Sequence, residues 1–328
     1  VIDISIIIVS WNVAELLRSC LLSIHRSPVY IVQPDKDVPT EINQLSVEII
    51  VVDSHSNDNT LEMLHEFSNV LVIAQKENLG FAKCNNIGLQ IARGRYLFLL
   101  NPDTELVGNV LNTLIAYLDQ HSNVGIAGPH LTDAAGKLQK VPRRFPKFII
   151  TLFDTPSLQA HLPRWLLSRY AIINPIKDAC TPVEWVLGAA LIIRQETFQD
   201  IGPLDEKYPM YSEEIDWCMR ATQHGWSIEC VGIGQVVHHG GKSSEQIPLV
   251  RHTYYWQSTL RFFQKYYKQY AILLRFCVIL SYLHVLCFEF GHVLMSKNSK
   301  KKNDARMKIK IYRKALVALI THPYKLVV

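Results

Sequence analysis

No two cysteines in this 328-residue chain are spaced Cys-x-x-Cys, and the seven present are scattered and odd in number. That argues against both a disulfide framework and a zinc site, and it suits a reducing compartment. No secretory signal is in view, because residues 1–8 open directly on a strand-like run. Charged residues make up only 19% of the chain and hydrophobic ones 48%, enough for a full core and unlike a disordered or repetitive protein. The segment Ser10-Trp11-Asn12-Val13-Ala14-Glu15 after the first apolar run lacks the Gly-rich, Lys- or Arg-bearing loop expected of a nucleotidyltransferase.

The charge is uneven. Residues 297–328 carry ten Lys or Arg against one Asp, a net +9, which leaves −4 for the rest of a chain whose formal total is +5. This basic tail lacks the interleaved aromatics of a base-stacking surface, so an anionic membrane surface ranks ahead of nucleic acid as a partner. A merely solvated charge run fits about as well. The tail follows Tyr270 to Met295, a largely apolar stretch broken by Arg275, His284, Glu289 and His292. Its cleanest part, Phe276 to Phe288, falls short of the ~20 residues a spanning helix needs. The reading is therefore an interfacial helix, with a buried helix packed on the body as the alternative. Residues 251–268 ahead of it carry Tyr, Phe, Arg and Lys at helical spacing.

What remains is a strand and helix alternation. Apolar runs at Ile4–Val9, Val47–Val52, Val70–Ala74, Tyr96–Leu100 and Val124–Ala127 alternate with helical patterns at Ala14–His25, after Gly80 and at Asn109–Gln120. This predicts an α/β, Rossmann-like doubly wound layer with a mostly parallel sheet. Residues 28–46 read as a surface insertion and 129–180 as a long excursion, with Val183 to Arg194 as a strand interrupted by small residues. The body is then 1–250 and a helical C-terminal region 251–328.

In such sheets ligands bind at the carboxyl ends of the strands. The run Tyr96-Leu97-Phe98-Leu99-Leu100 stops at Asn101-Pro102-Asp103, and a carboxylate on so short a loop can hold a hard divalent cation. Asp53 ends another strand, where it either accepts a hydrogen bond from a nucleoside or begins a helix cap. Asn78 and Gly80 precede a helix, and Gly80 would let a phosphate or sugar approach the backbone. Gly188 and Ala189 would likewise permit close packing, and Arg143 and Arg144 form a cationic pair within reach of a diphosphate or simply solvated. Glu213 and Glu214 open a helix on which Asp216 and Arg220 pair at i,i+4. His238 and His239 cannot both face one ligand in extended chain, so at most one binds a metal. A His beside an Asp favours Mn2+, with Mg2+ tolerated.

Taken together, Val9 to Asn12, Val52 to Asp58, Asn78 to Phe81, Leu100 to Asp103, Trp185 to Ala189, Tyr211 to Arg220 and His238 to Ser243 resemble the family 2 glycosyltransferases of GT-A fold, in particular their rhamnosyltransferase-like branch. The resemblance implies that Asp53 contacts the base of a nucleotide-sugar, with Ser10, Asn12, Ser56, Asp58, Asn78, Gly80, Asn101, Arg144, Trp185, Gly188, Ala189 and Glu213 around the substrate. It implies Asp103 as the principal metal carboxylate and His238, in a His-x-x-Gly-x-Ser pattern completed by Gly241 and Ser243, as the second metal ligand. Glu214 falls where the family's catalytic Asp is usual, a departure of one methylene that moves the carboxylate by about 1 Å.

The implied reaction is inverting transfer of a hexose, rhamnose or a similar deoxyhexose, from a nucleotide-diphosphate sugar to a saccharide or polyprenyl-linked acceptor in cell-surface polysaccharide synthesis. One base with no paired nucleophilic carboxylate predicts a single displacement. The implied place is cytoplasmic, peripheral to the inner face of the cell membrane. The competing reading, kept open by Glu214, is a catalytically impaired relative that binds nucleotide-sugar at the membrane surface. Oligomeric state is not legible.

Overall fold

Strand β1 (Ile2–Ser10) runs between β3 (Leu45–Asp53) and β5 (Gly94–Leu100), parallel to both. It is buried on both faces, which is why its sequence is a nearly continuous apolar run rather than an alternating one. In the computed structural model the described residues are 1–34, 36–39, 43–139, 144–159, 179–208, 210–240, 248–296 and 298–321. They form two compact units. The first holds the described residues of 1–145, 179–205 and 214–240, and the second those of 146–159, 206–213 and 248–321, so the excursion at 129–180 is shared between them.

The first unit is built on one sheet. Its order is β2 (Val29–Ile31), β3, β1, β5, β9 (Ala190–Arg194), β7 (Val124–Thr132), β10 (Ser227–His238) and β6 (Thr104–Val107); β4 (Val70–Ala74) also pairs with β3 and β8 (Cys180–Pro182) with β10. Helices α1 (Ala14–His25), α2 (Thr60–Leu64) and α4 (Val110–Gln120) bury Leu17, Leu21, Met63 and Leu114 against Ile4, Ile6, Ile8, Val47, Ile49 and Val51. Helix α3 (Phe81–Ile91) covers the other face, where Ile50 and Val52 meet Cys84 and Ile7 touches Gly88. Successive residues of β3 thus serve opposite faces, as the two-residue period requires. Each large apolar side chain buried this way contributes about 1.5–3 kcal/mol.

Four features differ from the sequence reading. Part of the insertion at 28–46 is β2, which pairs parallel with β3 through Val29–Leu45 and Ile31–Val47. The expected strand at 183–194 is strand only from Ala190, because 183–189 turns to bring β9 antiparallel between β5 and β7. The small residues that interrupt the pattern mark that turn. The short antiparallel β6 follows Asp103 directly and pairs with the end of β10. The start of the excursion, 129–132, completes β7.

Helix α7 (Gln195–Ile201) leads to Gly202, and α8 (Glu213–Gln223) follows. The expected Asp216–Arg220 pair forms at 3.0 Å. Arg220 also donates to the carbonyls of Ile201 and Pro203, tying α8 to the end of α7. In the second unit, α5 (Phe148–Phe153) and α6 (Pro156–Gln159) accompany three long helices, α9 (Pro248–Tyr266), α10 (Lys268–Met295) and α11 (Ser299–Thr321). His252, Tyr282 and Tyr312, one from each long helix, meet in edge-to-face contacts with a 2.8 Å bond between His252 Nδ1 and the Tyr282 hydroxyl.

At the start of β5, Gly94 donates its N–H to Ser5 Oγ at 2.8 Å, and a Cβ placed there would lie 2.5 Å from the Ser5 backbone nitrogen. Two paired strands cannot both yield to that atom. Gly94→Ala is expected to cost about 1–3 kcal/mol and to lower Tm by several degrees in thermal unfolding; an unchanged Tm would contradict this packing.

Candidate functional site

The carboxyl ends of β1 and β3 lie side by side, with Ser10 opposite Asp53. Ser10 Oγ and Ser56 Oγ donate to Asp53 Oδ1 at 3.0 and 2.6 Å, and the Ser56 N–H donates to Oδ2 at 2.9 Å. Asn12, in left-handed backbone at φ 53°, donates its N–H to Ser56 Oγ and accepts from Asn57 N–H at 2.7 Å. Asp58 accepts from the N–H groups of Ala14 and Thr60 and from the Thr60 hydroxyl. Burial pushes the Asp58 carboxyl up, but these hydrogen bonds outweigh it and hold it below the usual carboxylate range. Five of the expected substrate residues therefore form one internally bonded corner.

Asp53 is 0% exposed and both its oxygens accept hydrogen bonds from within the chain. It orders the loop at 54–58, a carboxylate at a buried strand end being satisfied by the adjacent serines and backbone.

The second loop is tied to the first. Ser54 Oγ donates to Asn78 Oδ1 at 3.0 Å and accepts from Leu79 N–H, while Gly80 N–H donates to the same Asn78 oxygen. Gly80 has φ 78°, a conformation that favours glycine, and it starts α3. Phe81 then lies against Gly188, whose added Cβ would be 3.7 Å from the ring and 3.6 Å from Glu214 Cβ. Both distances are ordinary van der Waals contacts, so Phe81 and the start of α8 close on this turn without crowding it. Next to it, Ala189 accepts a 2.9 Å bond from Asn101 N–H. Trp185 is buried and donates Nε1 to the Arg144 carbonyl at 3.1 Å. Arg144 itself is exposed, and Arg143, Gly241 and Ser243 lie outside the described residues.

Past Asn101, Asp103 is buried beside His238. The pairing of β6 with β10 sets His238 opposite Thr104, and His239 N–H donates to the Asp103 carbonyl at 2.9 Å. His239 turns the other way, to Glu105 at 2.8 Å, so the two histidines diverge as extended chain requires. Gln139 holds His238 reciprocally: its amide nitrogen donates to the His238 carbonyl at 2.8 Å, and its Oε1 is 3.0 Å from Nδ1. An amide oxygen only accepts, so Nδ1 carries the proton and Nε2 presents a lone pair. Burial lowers the His238 pKa, against the opposing pull of the Asp103 charge, and the neutral ring is favoured.

Nε2 is buried without a hydrogen-bond partner and lies 3.6 Å from Asp103 Oδ1. Two acceptors thus face each other at a distance too long for a hydrogen bond, an arrangement relieved by a cation between them. The donor set of one imidazole and one carboxylate fits a divalent transition ion. No cluster of three or more His, Cys, Asp or Glu suited to a metal occurs among the described residues. Gln139 was not legible as part of this site, being 99 residues from His238 in a segment with no periodic pattern.

Comparison with known proteins gives a family match over residues 5–172, described as glycosyl transferase family 2. The N-acetylglucosaminyl-diphospho-decaprenol L-rhamnosyltransferase of Mycobacterium tuberculosis is 23% identical over 246 residues, 66% of this chain and 78% of that protein. A dTDP-rhamnosyl transferase of Shigella flexneri is 21% identical over 211 residues, 63% of this chain and 65% of its own. Among solved structures, a mannosyltransferase from Pyrobaculum calidifontis in complex with GDP-Man and Mn2+ has a TM-score of 0.53 at 13% identity, covering 97% of this chain and 87% of that one.

If Asp53 is the keystone of the corner, Asp53→Ala leaves the Ser10 hydroxyl and the Ser56 N–H without their acceptor. A loss of about 1–3 kcal/mol is expected from denaturant unfolding, with faster amide exchange at residues 54–58. Wild-type stability and exchange would show that the carboxylate does not organise the loop.

Proposed function

The chain belongs to glycosyl transferase family 2, and on that premise we propose that it is a metal-dependent, inverting hexosyltransferase. The donor is a nucleotide-diphosphate sugar, with rhamnose or a related deoxyhexose favoured by the two rhamnosyl relatives. The acceptor is a saccharide, free or on a polyprenyl diphosphate, as the decaprenol-linked substrate in the mycobacterial relative's name suggests. The product belongs to cell-surface polysaccharide.

The single observation that carries the reading is the pair of facing acceptors, Asp103 Oδ1 and His238 Nε2. Asp103 and His238 would hold Mn2+ or Mg2+. When bound, the ion supplies positive charge to the diphosphate as the glycosidic bond breaks. The chain's own residues do the rest. Ser10, Asn12, Ser56 and Asp58 form the wall on which the nucleoside lies, with Asp53 fixing it from behind. Asn78 and Gly80 border the space between that wall and α3. Gly188 and Ala189 link the Asn101 loop to Glu214, so the base and the leaving-group loop share one backbone support.

Glu214 takes the proton from the acceptor hydroxyl as that oxygen attacks the anomeric carbon. Glu214 stands in the first turn of α8, where the helix dipole favours negative charge, as a base requires. With one such base the displacement is single, and the anomeric configuration inverts.

Three expectations follow from this assignment. Glu214→Gln lowers kcat by about 10²–10⁴-fold while leaving donor binding within a few-fold; a panel of nucleotide-sugars assayed with Mn2+ and Mg2+ reads both quantities, and turnover equal to wild type would remove Glu214 as base. Asp103→Asn and His238→Ala each abolish metal-stimulated turnover. Gln139→Leu, which removes both hydrogen bonds to His238, weakens the activating ion by about 10–100-fold with a smaller change in kcat at saturating ion. Binding of a donor without turnover in the wild-type chain, under either ion, would identify a non-catalytic relative instead.

A further inference from the structure

Helix α10 runs 28 residues, about 42 Å at ~1.5 Å per residue, and is long and apolar enough by length and composition to cross a membrane. One stripe of it, with Ala271, Leu274, Val278, Tyr282, Leu286 and Glu289, is buried within the second unit. The opposite stripe is Ile272, Phe276, Leu280, Leu283, Phe290 and Leu294, at helical spacing and 44–81% exposed. No Lys, Arg, Asp or Glu belongs to that stripe. The two charges inside the helix, Arg275 and Glu289, are spent on α11: Arg275 donates to the carbonyls of Leu319 and Ile320, and Glu289 pairs with Lys308 at 2.9 Å.

These contacts make α10 and α11 an antiparallel hairpin, since residue 275 meets 319–320 and residue 289 meets 308. Helix α11 carries eight Lys or Arg against one Asp, a net +7, with Lys300, Lys301, Arg306, Lys310 and Arg313 exposed. A helix of that charge cannot accompany its partner through hydrocarbon. While the hairpin holds, α10 cannot span. An apolar stripe of this length beside a strongly basic helix instead matches a surface whose interior is apolar and whose face is anionic. A second copy of the chain fits less well, because it would bring two basic helices together.

We propose that the α10–α11 hairpin lies in the plane of an anionic lipid bilayer, α10 entering the acyl boundary with its exposed stripe and α11 meeting the headgroups. This inference is independent of the transferase reading, since vesicle binding and turnover are measured separately.

The full chain is mixed with vesicles of phosphatidylcholine alone, or containing about 30 mol% phosphatidylglycerol, and floated on a density gradient. The expected result is flotation with the anionic vesicles, at least tenfold weaker with neutral ones and largely reversed by about 0.5 M salt. Phe276→Ser with Leu280→Ser, and separately Lys300→Glu with Lys301→Glu, each reduce flotation at least fivefold, with helical circular dichroism and Tm kept near wild type to show that the fold persists. Flotation that ignores lipid charge and survives both salt and alkaline carbonate would overturn the in-plane arrangement in favour of spanning. Failure to float with either vesicle, or a concentration-dependent dimer in sedimentation that both serine substitutions dissolve, would overturn the lipid assignment.

Discussion

A neutral imidazole whose lone pair faces a buried carboxylate is the constraint around which the candidate site is arranged. His238 is not free to turn away, because Gln139 grips it at both the ring and the carbonyl. Asp103 is held too, with its carbonyl bonded to His239 and the strand that follows it, β6, laddered to β10. The sheet thus brings a loop from its centre and a strand from near its edge to one point. In a buried setting a carboxylate and an imidazole lone pair interact more strongly than they would in water. The topology explains how the residues meet: β5 delivers Asp103 at its carboxyl end, and β10 passes antiparallel to β6 to deliver His238.

The rest of the site divides between residues that hold and residues that present. Asp53, fully buried, holds the corner formed by Ser10, Asn12 and Ser56. Ser54 carries that order to Asn78 and hence to Gly80. Gly188 lies beside Phe81 and the Glu214 stem. Glu214 stands in the first turn of a helix whose preceding residues, Tyr211 and Ser212, both adopt left-handed backbone at φ 71° and 67°. Such backbone is costly for non-glycine residues and concentrates where geometry is functionally fixed.

Much of this was legible because it is written in local chemistry. Five apolar runs announce buried strands, two of them running into Asp53 and Asn101, and helical patterns stand between them. The chain order of Asp103, Glu214 and His238 resembles a family pattern, and the family match over residues 5–172 covers Asp103 but neither Glu214 nor His238. What escaped was non-local. β6 is four residues long and its strand character comes from the ladder with β10, which no local pattern reports. β9 runs against its neighbours because of the turn at 183–189, and small residues there looked like interruptions of one strand. Gln139 has no signature at all, since its role exists only once β10 has passed beside it. The burial of Asp53 was hidden for the same reason: a strand-end carboxylate reads alike whether it faces solvent or two serines.

The central claim is that Asp103 and His238 share one cation, and anomalous X-ray scattering at the manganese edge from crystals grown with Mn2+ and a nucleoside diphosphate tests it most directly. The account predicts a single strong peak between Asp103 Oδ1 and His238 Nε2, absent from Gln139→Leu crystals at the same ion concentration. A peak bound elsewhere, or a fully ordered nucleotide with no ion beside these two side chains, would contradict it.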